Sequence, residues 1–104
     1  MSTPVTVVIG YQSQPERSKQ LHDELSALIA EVVAREVDCL GIQLLVHADD
    51  HTQILLYELW TSREAFTGPH MQTAHIGAFM AKARDFLAGA PSIAFWHLSA
   101  DVHR

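Results

Sequence analysis

The sequence predicts an α+β domain in which four strands and two helices follow in the order β-α-β-β-α-β, with both helices on one face of an antiparallel sheet. Three observations predict it. Apolar, β-branched runs bounded by turn residues occur four times. Two stretches between them repeat apolar residues at helical spacing. The middle two strands are joined by a connection too short for anything but a hairpin.

Val5-Thr6-Val7-Val8-Ile9-Gly10-Tyr11 forms the first strand, ended by the polar run Gln12 to Pro15. Ser13 and Glu16 stand in the S-x-x-E relation of a capping box, with Pro15 in the first turn, which predicts a helix start there. Leu21, Leu25, Leu28 and Val32 recur at i, i+4, i+7 and i+11 and make one apolar stripe, so the helix runs to about Glu36. Cys39 to Ala48 is the second strand, with Ile42, Leu44 and Val46 on one face and Gln43, Leu45 and His47 on the other. Asp49 to Thr52 turns the chain into the third strand, Gln53 to Trp60. Thr61 and Glu64 suggest a second capping box, opening a short helix through Ala65 and Phe66 that Gly68-Pro69 interrupts. A longer helix follows from about His70, carrying Ile76, Phe79, Met80, Ala83, Phe86 and Leu87, and Gly89-Ala90-Pro91 ends it. Ser92 to Ala100 is the last strand. The order is that of the ferredoxin-like fold, and residues 1–104 read as one such domain.

A four-stranded sheet with helices on one face should alternate apolar and polar residues. This one does not. In the third strand Ile54, Leu56 and Trp60 share one face while Leu55, Tyr57 and Leu59 share the other, and the first and last strands are apolar on both sides. A second copy of the chain, packed sheet against sheet, is the simplest cover, so a homodimer is expected.

Seven Lys and Arg against twelve Asp and Glu give a net charge of -5, which disfavours nucleic acid and anionic membranes as partners. The single cysteine, Cys39, excludes an intrachain disulfide and a thiolate zinc site within one chain. Met1 to Val8 has no basic segment leading into a long apolar core, and no stretch approaches the roughly 18 apolar residues of a membrane span. A soluble, cytoplasmic protein is expected.

There is no P-loop, no G-x-G-x-x-G, no G-x-S-x-G and no Cys/His arrangement of recognisable spacing. Among the seven histidines, His70 and His75 fall together, but residues five apart on a helix lie about 140° apart around its axis, a poor arrangement for two metal ligands. No metal and no cofactor are expected. The informative cluster is Tyr57-Glu58-Leu59-Trp60 with Phe66, His70 and His75. Glu58 interrupts an apolar strand, and a carboxylate there needs a partner, either an ion pair or a polar pocket. Trp60, Phe66, Phe79 and Trp96 read as core or as the walls of an apolar cleft for a small aromatic molecule.

The run Tyr57-Glu58-Leu59-Trp60-Thr61-Ser62-Arg63-Glu64-Ala65-Phe66, followed by His70, Thr73-Ala74-His75 and Phe79, resembles the antibiotic biosynthesis monooxygenase family. The resemblance implies a dimeric α+β barrel and, for some members, oxidation of quinols or polyketide phenols by O2 without metal or flavin. It also covers an isomerase acting on a phosphorylated sugar, and heme-degrading enzymes. The heme degraders' asparagine on strand one is absent here, and alignment on Phe66 places Pro69 and Phe79 at their helix positions.

Oxidation of a phenol by O2 without a cofactor requires a base, because the phenolate is the electron donor. A histidine near pKa 6.5 facing a phenol near 10 falls short by about 3.5 units, or roughly 4.8 kcal/mol at about 1.36 per unit, so the pocket must also supply hydrogen-bond donors. These roles are expected for His70 or His75 as the base and for Glu58 as the group orienting an imidazole. Trp60, Phe66, Phe79, Trp96 and Tyr57 are the expected substrate-binding surface. The alternatives are a non-catalytic dimer that binds a small apolar ligand, and an isomerase or lyase acting on a small carbonyl compound.

Overall fold

A computed structural model of the chain describes residues 3–104; Met1 and Ser2, at the head of the segment read as lacking a leader, lie outside it. Strands β1 (Val5–Gln12), β2 (Cys39–Val46), β3 (Gln53–Trp60) and β4 (Ser92–Trp96) form one antiparallel sheet in the order β2-β3-β1-β4. Helices α1 (Ser18–Arg35), α2 (Arg63–Thr67) and α3 (Ala74–Lys82) complete the ferredoxin-like α+β fold. A 3-10 turn, Pro69–Gln72, joins α2 to α3, and a second, Ala83–Asp85, follows α3.

The α1 stripe packs as its spacing requires, with Leu21, Leu25, Leu28 and Val32 all buried. β3 alternates without exception: Ile54, Leu56, Glu58 and Trp60 are buried and the residues between them exposed. The register with β1 sets Val7 opposite Glu58 and Ile9 opposite Leu56, so the covered face is continuous across the two central strands. Cys39 and Gly41 pair with consecutive residues of β3, Trp60 and Leu59, which leaves Leu40 as a bulge residue. Below the helices Val5, Val7, Ile9, Leu56 and Trp60 meet Phe66, Phe79 and Phe86 in one core cluster.

The helix starts differ from the sequence reading. Ser13 does not cap α1; it pairs with Leu87 in an isolated bridge and donates its N–H to the Thr52 carbonyl at 2.8 Å. Glu16 has φ 66, in the left-handed region, so the chain turns once more before helix begins at Ser18. Tertiary pairing of the segment after β1 outweighs the local capping pattern. At α2 the cap is Ser62 rather than Thr61, accepting from the Ala65 N–H at 3.1 Å, while Thr61 donates its hydroxyl to Asp38 at 2.9 Å. The second long helix begins at Ala74, not His70, because Pro69 opens a 3-10 turn and Thr73 then caps α3. β4 ends at Trp96, short of the expected Ala100, and the His97 Nδ1 lies 3.1 Å from the Pro4 carbonyl.

Candidate active site

The covered face and the helices do not close completely. A cavity of about 300 Å³ lies between α3, the middle of α1 at Leu28 and the sheet, at the small end of the roughly 300–1,000 Å³ usual for ligand pockets. Ile9, Leu28, Phe66, Ile76 and Phe79 wall it, and the half-exposed Ile93 and Met80 stand at its mouth. Two groups on its lining can exchange or share protons, the Tyr11 hydroxyl and the His70 imidazole. A wider depression at the end of the sheet, lined by Gln12, His47, Gln53 and Ala90, carries exposed polar groups instead.

His70 is held by everything around it. The 3-10 turn brings it inward, where its ring stacks on Phe66 at 4.9 Å between centroids and tilts against Trp60 at 4.6 Å. Its Nδ1 lies 2.9 Å from both carboxylate oxygens of Glu36. A carboxylate accepts, so Nδ1 carries the proton of a neutral ring and Nε2 is left as the basic atom. Among the described residues Nε2 has no hydrogen-bond partner. Burial pulls the pKa of His70 below its ordinary value, and the Glu36 hydrogen bond works against that shift without reversing it.

The same Glu36 oxygen that faces His70 also lies 2.7 Å from His75 Nε2. Glu36 is the residue just past α1, where its N–H bonds to the Val32 carbonyl. An acidic side chain is unfavourable beside the negative end of a helix. Two imidazoles offset that cost. This is the one trace of Glu36 in the sequence, an acid closing an apolar-striped helix directly after Arg35.

Glu58 takes another role than the one expected of it. Its carboxylate accepts from the Trp60 indole N–H at 2.8 Å and touches neither imidazole; the carboxylate orienting them is Glu36. Enclosure in the core drives Glu58 up to about 7, against the lowering effect of the Trp60 bond, with the Glu36 charge adding to the rise. Burial and the Glu58 charge both push the Tyr11 phenol far above its usual range, so it remains a hydrogen-bond donor. No hydrogen-bond partner occupies that hydroxyl among the described residues. Sequence reading missed Tyr11 because a tyrosine ending a β-strand is ordinary.

The expected aromatic surface divides in three. Phe66 and Phe79 line the cavity; Trp60 is 1% exposed and lies behind His70 as core. Tyr57 and Trp96 are on the other face of the sheet altogether, because they alternate with the buried Leu56 and Glu58 and the partly buried Phe95. That placement corrects the expectation that all five share one pocket. His75 likewise sits outside the cavity, on a groove between α1 and α3. Arg63 stacks over Phe95, 4.1 Å from its centroid, and closes the edge beyond Phe66.

Residues 4–82 match the family model of antibiotic biosynthesis monooxygenases, a span that contains Tyr11, Glu36, Phe66, His70, His75 and Phe79. The chain belongs to the antibiotic biosynthesis monooxygenase family. Solved structures agree with that membership. The Pseudomonas aeruginosa protein PA3566 is 27% identical, with a TM-score of 0.85 over 96% of this chain and 98% of its own. A candidate antibiotic biosynthesis monooxygenase from Caulobacter crescentus is 26% identical, with a TM-score of 0.84 over 95% and 92%. The Mycobacterium tuberculosis protein Rv0793, at 22% identity and a TM-score of 0.83 over 97% and 100%, shares the fold. No curated protein matches the sequence. Among the described residues no helix is long and apolar enough to cross a membrane.

Proposed function

We propose that this family member is a monooxygenase that oxidises a small phenol or hydroquinone with O2, using His70 as the base. The observation that carries the reading is the buried imidazole on an apolar cavity, its Nδ1 held by Glu36 and its Nε2 left free. A phenol entering between Ile93 and Met80 would slide its ring along Phe66 and Phe79 and bring its hydroxyl to Nε2. Deprotonation leaves a phenolate, and Glu36 offsets the positive charge that forms on His70. The Tyr11 hydroxyl supplies the donor that the pKa gap between imidazole and phenol requires. The phenolate then reduces O2. For a hydroquinone the balance is one quinol and one O2 to one hydroxyquinone and one water, with the electrons coming from the substrate.

Most of the cavity wall is apolar, and no Lys or Arg among the described residues lines it, which disfavours a phosphorylated carbonyl substrate. We further infer a homodimer formed through the open face of the sheet, where Leu45, Leu55, Tyr57, Leu59 and Trp96 are all exposed and contiguous by register. A reducing, cytosolic setting suits the lone, buried Cys39 thiol.

O2 uptake by metal-stripped protein supplied with a naphthoquinol tests the activity. Wild type should consume O2, and His70→Gln should lose at least about 100-fold in rate, the usual contribution of a positioned base. Equal uptake by the two proteins would remove His70 from the chemistry. Quenched tryptophan fluorescence without any uptake would make the protein a ligand-binding dimer instead.

A further inference from the structure

Glu36 touches two imidazoles that face different spaces. His70 lines the internal cavity, whereas His75 lines an outer groove with Glu24, Glu31, Arg35 and Lys82. Leu28 and Phe79 line both, so one layer of side chains separates inside from outside. All three members of the bridge are shielded, with side-chain exposures of 4% for His70, 12% for Glu36 and 13% for His75. In such a setting one carboxylate balances a single positive charge well and two badly.

We infer that Glu36 couples the two imidazoles, so that a proton taken up at His70 Nε2 from a phenol in the cavity is matched by a proton given up at His75 Nδ1 to the groove outside. The identity of the inner proton donor rests on the function proposed above; the coupling itself does not. The exchange starts from the arrangement in which the single positive charge beside Glu36 is on His75, which donates from Nε2, while a neutral His70 donates from Nδ1. The phenol O–H bond breaks and its proton joins His70 Nε2. His70 becomes the imidazolium, and His75 loses its Nδ1 proton to water. Glu36 stays ionised and the net charge of the three groups is unchanged. When reduced oxygen needs a proton, His70 returns one and His75 rebinds another.

The surroundings are consistent with this exchange. Around His75, Arg35 is paired with Glu31 at 2.9 Å and Lys82 with Glu24 at 3.1 Å, so these four charges largely cancel. The first turn of α3, which holds His75, opposes a positive charge there and eases its loss. Around His70 stand the Tyr11 hydroxyl on the cavity wall and, behind the Trp60 ring, the Glu58 carboxyl. Neither touches the Nδ1 edge, which belongs to Glu36.

Two measurements test the coupling. Calorimetry of 4-nitrophenol binding in buffers of different ionisation enthalpy, at a pH where the free phenol is neutral, counts protons released while absorbance reports the phenolate. Wild type should form phenolate and release a proton for each phenol bound; His75→Gln should still form phenolate, with release falling close to zero. Undiminished release from His75→Gln would overturn the inference. Nitrogen-15 NMR titration of the ligand-free protein needs no phenol. There, His70→Gln should move the His75 titration by more than about one pH unit, as strongly interacting sites do. An unmoved His75 curve would overturn the coupling even if phenols bind, whereas a moved curve with no phenol binding would retain it and discard the proposed substrate.

Discussion

Leu55 and Leu56 are neighbours of the same type on one strand, yet one is 43% exposed and the other 1%. They belong to the two faces of the sheet, which differ in what covers them and not in how apolar they are. On the helix side the strands meet α1 and α3, and the small remainder left unfilled becomes an apolar cavity with an imidazole in its wall. On the far side no helix covers the sheet, and Leu45, Tyr57, Leu59 and Trp96 all remain exposed. Apolar character alone therefore marks where a sheet must be covered; only the partner element turns cover into a site.

That contrast is broken most sharply by truncation. Leu56→Ala should cost about 2–5 kcal/mol of unfolding free energy at any protein concentration, because its burial is intramolecular. Leu55→Ala should cost below about 1 kcal/mol in dilute solution and more as concentration rises, if a second copy covers it. Urea unfolding at several concentrations separates the two. A cost for Leu55 that ignores concentration would remove the dimer from the account.

Glu58 sharpens the comparison on the covered side. Its pKa in the folded chain, about 7, exceeds the ordinary 4.5, so the folded state holds the proton more tightly. Its stabilising contribution is complete below about 4.5 and is lost as pH rises through 7, a loss on the order of 3 kcal/mol for about 2.5 units. Glu58→Gln should flatten this slope and gain stability relative to wild type above pH 7, read from urea midpoints across pH. His70 has the opposite sign. Its pKa is depressed by burial, so its contribution is present above its unfolded value and fades as pH falls below about 6.5. His70→Gln should remove that acid-side decline.

On the open face, Leu59→Asp places a charge where the proposed partner sits. The variant should sediment as an 11.6 kDa monomer while keeping its circular dichroism, since the site is 39% exposed within one chain. The smallest effect is expected at Cys39, a covered thiol pushed up to about 11 chiefly by burial. It should resist thiol reagents at neutral pH until urea unfolds the chain, whereas a cysteine introduced at Leu55 should react at once in the monomer.

Element type and order were legible along the chain because they depend on local periodicity: the α1 stripe, the alternation in β3 and the hairpin between β2 and β3 all have their cause within a few residues. The family's central block was legible for the same reason. Helix starts were less so, since Ser13 satisfies a capping pattern but is drawn into a bridge with Leu87, 74 positions away. What only the tertiary structure decided is which residues meet. Glu36 reaches His70 across 34 positions and His75 across 39, and Tyr11 joins His70 on the cavity from β1. Glu58, the acid that stands out in sequence, bonds to Trp60 two residues on. Periodicity tells each residue which face it takes; it contains no information about the distance between faces, and hydrogen bonds form or fail on that distance.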